Sequence, residues 1–197
     1  MQRTRSSPSA LRSPLTRHPL GGQPIYVLVN GAFGIGKTSV AKELRLQLPD
    51  AVTLDPERIG FILQRLPGYS RSDFQDLPAW RRLTVASAWV LGCLRRIVVI
   101  PMAISELAYL DEIRTGLAAT GRPVLHYCLV APLAEVRRRL ASRGEAYDDP
   151  RWAWVYRRAA ECCDVHAGVE FRKHVRAADR SPRDIASEIA RDVVAAA

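Results

Sequence analysis

A chain of 197 residues and 21.9 kDa, 48% of them hydrophobic, can bury one core without disulfides or a structural metal. Its formal charge is +9, but Arg3, Arg5, Arg12 and Arg17 stand in the first 24 residues with no acid beside them, leaving about +5 for the body, a modest excess suited to anionic ligands. The longest basic run, Arg137-Arg138-Arg139, has no interleaved aromatics and reads as a solvated helix face, which argues against a nucleic-acid partner.

Residues 1 to 24 are rich in Arg, Ser and Pro, and they read as a disordered basic arm with Gly21-Gly22 as its hinge. From Ile25 the texture changes. Ile25-Tyr26-Val27-Leu28-Val29 is an apolar, β-rich run, as expected of a central parallel strand buried on both faces. Val40, Leu44 and Leu48 are spaced by four and predict a helix over Lys37 to Leu48. A short strand, Ala51 to Leu54, leads into Asp55-Pro56, an N-cap with a first-turn proline, and a helix to Leu66. Residues 67 to 78 read as a polar loop holding Gly68, Ser70, Ser72, Asp73 and Asp76.

The next helix, Pro78 to Leu94, is apolar nearly all round and is expected to be well buried. The 96 to 100 run is the third strand, with Pro101 as its stop. Ser105 is placed to cap a helix whose Leu107, Leu110, Ile113 and Leu117 share a face, and Gly121 stops it. Val124 to Val130 is the fourth strand and Pro132 opens a helix to Ser142. A helix through Trp152, Val155, Tyr156, Ala159 and Cys163 follows a polar segment. Val169 to Val175 then reads as a fifth strand, and Ser181-Pro182 starts the last helix. This alternation calls for a single α/β domain over residues 25 to 197, a five-stranded parallel sheet with helices on both faces. Its ligands belong beyond the carboxyl ends of the strands.

Gly31-Ala32-Phe33-Gly34-Ile35-Gly36-Lys37-Thr38 fits the P-loop pattern between a strand and a helix. Glycines let the backbone wrap its N–H groups round phosphate oxygens, and the following helix, with Ser39 in its first turn, adds its positive N-terminus. Lys37 then reaches the β and γ phosphates, and the Thr38 hydroxyl is placed to bind Mg²⁺. Only Lys37, Lys42 and Lys173 are lysine among the 29 basic residues, so a lysine at this position points to a need for a compact ammonium. The expected ligands are ATP and Mg²⁺.

Asp55, ending the strand beside the loop, is the candidate base or metal ligand, with helix capping as its equal rival. Glu57, Arg58 and Asp76 are candidate acceptor contacts, and Asp76 is equally an N-cap for the helix at Pro78. The third strand carries no terminal aspartate where a Walker B carboxylate is usual, which disfavours a motor or switch. Arg137, Arg139 and Arg143 fall where a short lid would close over the transferring phosphate, with Arg143 preferred. Cys162, Cys163, His166 and His174 match no common zinc spacing and read as core packing. Cys93, Cys128, Cys162 and Cys163 include no C-x-x-C pair and read as reduced cytosolic thiols. No run suffices to span a membrane, since Leu83 to Leu94 meets Arg95-Arg96, and the N-terminus lacks a signal peptide's apolar run.

Several blocks resemble the bacterial tunicamycin-resistance ATP-binding proteins: Val29 to Gly34 with Lys37-Thr38, Asp55 to Phe61, Asp76 to Arg81, Ile100-Pro101-Met102, and Leu140 to Glu145. The likeness covers Ile25 to the C-terminus. It implies a fold akin to nucleoside-monophosphate kinases and chloramphenicol phosphotransferases, ATP binding, and a role in tolerating a nucleoside antibiotic. It also implies peripheral membrane contact, for which the basic arm is the candidate. Ile35, bulky and set between the last two loop glycines, is a permitted departure. Two readings stay open: a phosphotransferase acting on a small hydroxylated molecule, or an ATP-dependent binding protein that sequesters the drug.

Overall fold

The computed structural model describes residues 24–66, 73–171 and 173–196. Residues 1–23 of the arm and Gly68, Ser70 and Ser72 lie outside them, whereas Pro24 is described and buried. The chain runs β1 (Ile25–Gly31), α1 (Lys37–Gln47), β2 (Ala51–Thr53), α2 (Pro56–Leu63), a 3₁₀ turn at Phe74–Asp76, and α3 (Pro78–Leu94). It continues through β3 (Ile97–Met102), α4 (Leu107–Ala118), β4 (Val124–Val130), α5 (Leu133–Ala141) and a 3₁₀ turn at Pro150–Trp152. The last elements are α6 (Ala153–Val165), a 3₁₀ turn at Val169–Phe171, β5 (His174–Arg176) and α7 (Pro182–Ala196).

All five strands are parallel, in the order β2-β3-β1-β4-β5. β1 sits in the middle and every one of its residues is buried, which is why its sequence is apolar without alternation. Its side chains still alternate by face. Ile25, Val27 and Val29 join a core with Val40 and Leu44 of α1, Val136 of α5 and Ile189 of α7. Tyr26 and Leu28 join a second core with Trp80 of α3 and Leu110 and Ile113 of α4. Helices thus cover both faces, as expected. No helix among the described residues is long and apolar enough to cross a membrane.

Several local expectations are corrected. Pro101 does not stop β3: it lies inside the strand, opposite Val29. The Val99 carbonyl accepts from Leu54 N–H at 2.9 Å, so Pro101, two residues on, turns the same way, toward β2. By then β2 has ended at Thr53, so the missing N–H costs no ladder bond. α2 ends at Leu63 rather than Leu66. Glu106, not Ser105, caps α4 through its side chain, and Gly121 ends that helix in a left-handed turn with φ 76°.

α3 is not buried all round. Trp80, Arg81, Thr84, Ala88 and Gly92 face inward, whereas Leu83, Trp89, Val90 and Leu94 are 42% to 65% exposed. One sheet face supplies partners for one stripe of the helix only. The fifth strand is also shorter than its apolar run suggests. Val169–Phe171 is a 3₁₀ turn, and β5 exists only where His174 to Arg176 pair with Cys128 to Val130. Asp76 does not cap α3. Leu77 holds that position, and the Asp76 carboxylate instead accepts from the Tyr109 hydroxyl at 3.2 Å.

Candidate functional site

The loop between β1 and α1 lies at the carboxyl end of the central strand, where ligands of open α/β sheets bind. Its conformation depends on glycine at two points. Gly34 has φ 80°, and an added Cβ would lie 2.7 Å from the Leu140 side chain; Gly36 has φ 109° and forms the N-terminal boundary of α1. Thr38 and Ser39 are exposed in the first turn of that helix.

Lys37 is only 8% exposed. Its Nζ donates to the Ala32 carbonyl at 3.0 Å and stands 5.4 Å from the Phe33 ring centroid. Burial holds the ammonium below its ordinary range, an effect the Glu57 carboxylate opposes and Arg143 reinforces. Burial in turn raises Glu57, against the pull of Lys37. A cation and an acid, from loop and α2, are therefore electrostatically coupled at one place, and Arg143 is near enough to be felt.

Arg139 braces the loop from α5. Its Nη1 donates to the Ile35 carbonyl and its Nη2 to the Ala177 carbonyl, both at 2.7 Å, while Nε donates to Glu135 at 2.6 Å. Arg138 and Arg139 together hold the Glu135 carboxyl down at about 2. This arginine thus ties α5, the loop and the turn after β5, and its guanidinium is committed to protein acceptors. Arg137 lies over the Tyr147 ring at 5.3 Å, beside a hollow of about 300 Å³ that Tyr156 and Arg157 also line. Of the three lid candidates, Arg143 alone is both exposed and felt by Lys37.

The remaining candidates divide. Asp55 is exposed, and its Oδ1 accepts from the Glu57 N–H at 3.1 Å, so it does cap α2. A cap formed by one oxygen is compatible with further work by the other. Arg58 is exposed. Asp76 is engaged with α4 through Tyr109. The hard oxygen donors within the site, Thr38, Asp55 and Glu57, are of the kind Mg²⁺ takes. β3 ends at buried Met102 and is followed by buried Ala103 and Ile104, so no acid stands there.

Three contributors escaped the sequence reading. Asn30, fully buried at the end of β1, accepts from Ile104 N–H through Oδ1 and donates to the Ile104 carbonyl through Nδ2, both at 2.9 Å. His166 Nε2 reaches the same carbonyl at 2.7 Å. A carbonyl has two lone pairs, so the 3.3 Å separation of Asn30 Nδ2 from His166 Nε2 places two donors side by side on one oxygen. Burial pushes His166 down to about 4, which keeps the ring neutral.

The third is Arg158. Trp154, Arg158, Cys162 and His166 recur every four residues along α6 and form one stripe. Trp154 meets the Phe33 ring edge-on at 5.4 Å; Arg158 stands 3.6 Å from Asp73 and 2.8 Å from Glu161. Cys162 is buried and its thiol pushed up to about 11 by burial, as Cys128 is to about 12. Both are neutral packing groups. Among the described residues no group of three or more His, Cys, Asp or Glu could hold a metal ion, and His174 is exposed on β5.

No family model matches the sequence, and no curated protein matches it. Solved structures do. The tunicamycin resistance protein of Deinococcus radiodurans superposes with a TM-score of 0.69 at 29% identity, over 87% of this chain and 96% of that one. APS kinase from Mycobacterium tuberculosis, solved with AMPPNP and APS, gives 0.59 at 22% over 87% and 98%. Shikimate kinase from Acinetobacter baumannii gives 0.56 at 16% over 87% and 93%; these two likenesses carry the fold alone. The chain is a P-loop protein with the kinase-type fold, and the tunicamycin-resistance proteins are the family that its sequence blocks and its fold both support.

Proposed function

We propose that this protein binds ATP with Mg²⁺ and transfers the γ-phosphoryl group to a hydroxyl of a small molecule, with tunicamycin as the first candidate acceptor. The observation that carries the reading is the loop itself, with Gly34 and Gly36 at φ 80° and 109° ahead of α1 and the buried Lys37 Nζ on the Ala32 carbonyl at 3.0 Å, where Glu57 raises and Arg143 lowers its proton affinity. Loop amides and the α1 N-terminus receive the phosphates, and Lys37 moves its ammonium from the Ala32 carbonyl to phosphate oxygen. Thr38 would hold Mg²⁺, which when bound neutralises phosphate charge. Asp55 takes the acceptor's proton as the new O–P bond forms and the bond to the ADP oxygen breaks, and Arg143 offsets charge on the group in flight. Glu57 orients the acceptor.

One observation keeps the sequestering alternative in view: an Asp55 oxygen is already spent on capping α2. The deciding experiment is mass spectrometry of purified protein incubated with Mg-ATP and tunicamycin. A product heavier by one phosphoryl group supports transfer. Unchanged drug, under conditions where both ligands bind, supports sequestration and overturns the kinase reading.

A further inference from the structure

A second place in the molecule has both room and unclaimed charge. Between α5 and α6 lies a hollow of about 300 Å³, lined by Arg137, Tyr147, Ala153, Tyr156, Arg157 and Ala160. It lies on a different face of α6 from the cleft. Trp154 and Arg158 face the cleft, through Phe33 of the loop and Asp73. Ala153 and Arg157 each precede one of them by a single residue, which turns them about 100° round the helix axis. On α5, Val136 and Leu140 back the loop at Gly34, whereas Arg137 is exposed.

The neighbouring arginines are engaged. Glu135 holds Arg138 and Arg139, Asp149 holds Arg151, and Glu161 holds Arg158. Among the described residues no carboxylate pairs with Arg137, which lies over the Tyr147 ring at 5.3 Å, or with exposed Arg157. Tyr147 meets Tyr156 at 5.0 Å with their planes at 86°, so two rings make a right-angled corner. Tyr156 is fixed there, because its hydroxyl donates to the Glu145 carbonyl at 2.6 Å. Ala153 and Ala160 leave space beside it, since each side chain ends at Cβ. A flat ring laid in such a corner stacks on one aromatic and meets the other edge-on. Its charge is bounded as well. Glu145 and Asp148 flank Tyr147 in the chain, so a polyanion meets repulsion, while a single oxyanion is held by Arg157.

The geometry points to a second ligand site here, separate from the phosphate loop, for a flat ring carrying one oxyanionic group, a carboxylate or a phosphate. The ring lies against Tyr147 and Tyr156. The oxyanion takes paired N–H donors from Arg157, and Arg137 adds charge at its side. Tyr147 belongs to the segment joining α5 to α6, which also carries Arg143, so an occupant ties both helices to that segment.

The test titrates the full chain, its loop filled with Mg²⁺ and a non-hydrolysable ATP analogue, by NMR with small probes. Benzoate and phenyl phosphate carry ring and charge; benzyl alcohol lacks the charge, and inorganic phosphate lacks the ring. At least one of the first two should bind about tenfold tighter than both controls, and whichever is tighter identifies the oxyanion. Arg157→Gln should weaken it at least about tenfold, and Tyr147→Ala about fivefold. Both residues are exposed, so neither change threatens the core. Lys37→Met, titrated without nucleotide, should keep the affinity within about twofold. No binding by either ring oxyanion, equal binding of either control, wild-type affinity in either hollow variant, or loss in Lys37→Met overturns the proposal. None of these readouts uses turnover, so a failure of phosphoryl transfer leaves this site standing.

Discussion

Replacing Lys37 with methionine separates ligand binding from folding, because the two should move independently. The side chain is 8% exposed, makes one hydrogen bond to Ala32 and lies over Phe33. Methionine keeps the length and the ring contact while removing a cation that burial disfavours. The lost partner for half-buried Glu57 works in the opposite direction, so stability should stay within about 1 kcal/mol of wild type. Nucleotide binding should fall by about 3 kcal/mol, roughly two orders of magnitude in Kd, the usual cost of removing one member of a desolvated charge pair.

Titration with a fluorescent ATP analogue reads the affinity, and urea unfolding at several pH values reads the rest. Below its ordinary 10.5 the native Lys37 sheds its proton earlier than the unfolded chain does. The unfolded state therefore binds more protons between the lowered value and 10.5, and wild-type stability rises with pH across that window. Tyr127, whose phenol is raised by burial and by Asp192, pulls the other way at higher pH in both proteins, so the difference between them isolates Lys37. A variant that keeps nucleotide affinity within about threefold, or that loses more than about 3 kcal/mol of stability, refutes the reasoning: Lys37 would then be a strut rather than a phosphate ligand.

Arg139→Ala should cost about 2–4 kcal/mol in urea unfolding, since it removes charge-assisted bonds to Ile35 and Ala177 from a mostly covered guanidinium. It should also weaken nucleotide binding about tenfold by loosening the loop. His166 is neutral when folded, with its value near 4 against an ordinary 6.5. The unfolded chain takes up that proton first, so stability present above pH 6.5 should fall by roughly 3 kcal/mol as pH drops toward 4. His166→Gln should flatten that slope in pH-dependent melts. Asp55→Asn should keep the cap and change stability by less than about 0.5 kcal/mol, yet cut turnover at least about 100-fold if Asp55 is the base. Glu57→Gln should chiefly raise KM for the acceptor.

Much of this architecture is legible in the residues because β1 and the helices carry clean periods. Ile25 to Val29 could only be a strand covered on both sides, and Val40, Leu44 and Leu48 could only be one face of a helix. What failed were features decided by partners distant in sequence. The apolar run at Val169 to Phe171 looks like strand, yet pairing with β4 begins only at His174, and Val169 is 65% exposed. The outward residues of α3 are as apolar as its inward ones, so composition could not orient it. At the site, the loop was legible because its function lies in consecutive backbone positions. Arg158 was not, because its meaning comes from Asp73, which is 85 residues away in the chain. The spacing of Trp154, Arg158, Cys162 and His166 was the one available signal, and spacing alone does not say what a stripe faces.

Pro101 has an architectural effect that reaches the cleft. With no hydrogen to offer, β3 gives its neighbour no reason to continue past Thr53. The backbone therefore leaves the sheet after Leu54, whose N–H makes the last bond to β3, and Asp55 and Glu57 follow at the start of α2. A single imino acid in one strand acts as a doorstop for the adjacent one, and so decides where α2, with its capping and first-turn carboxylates, begins.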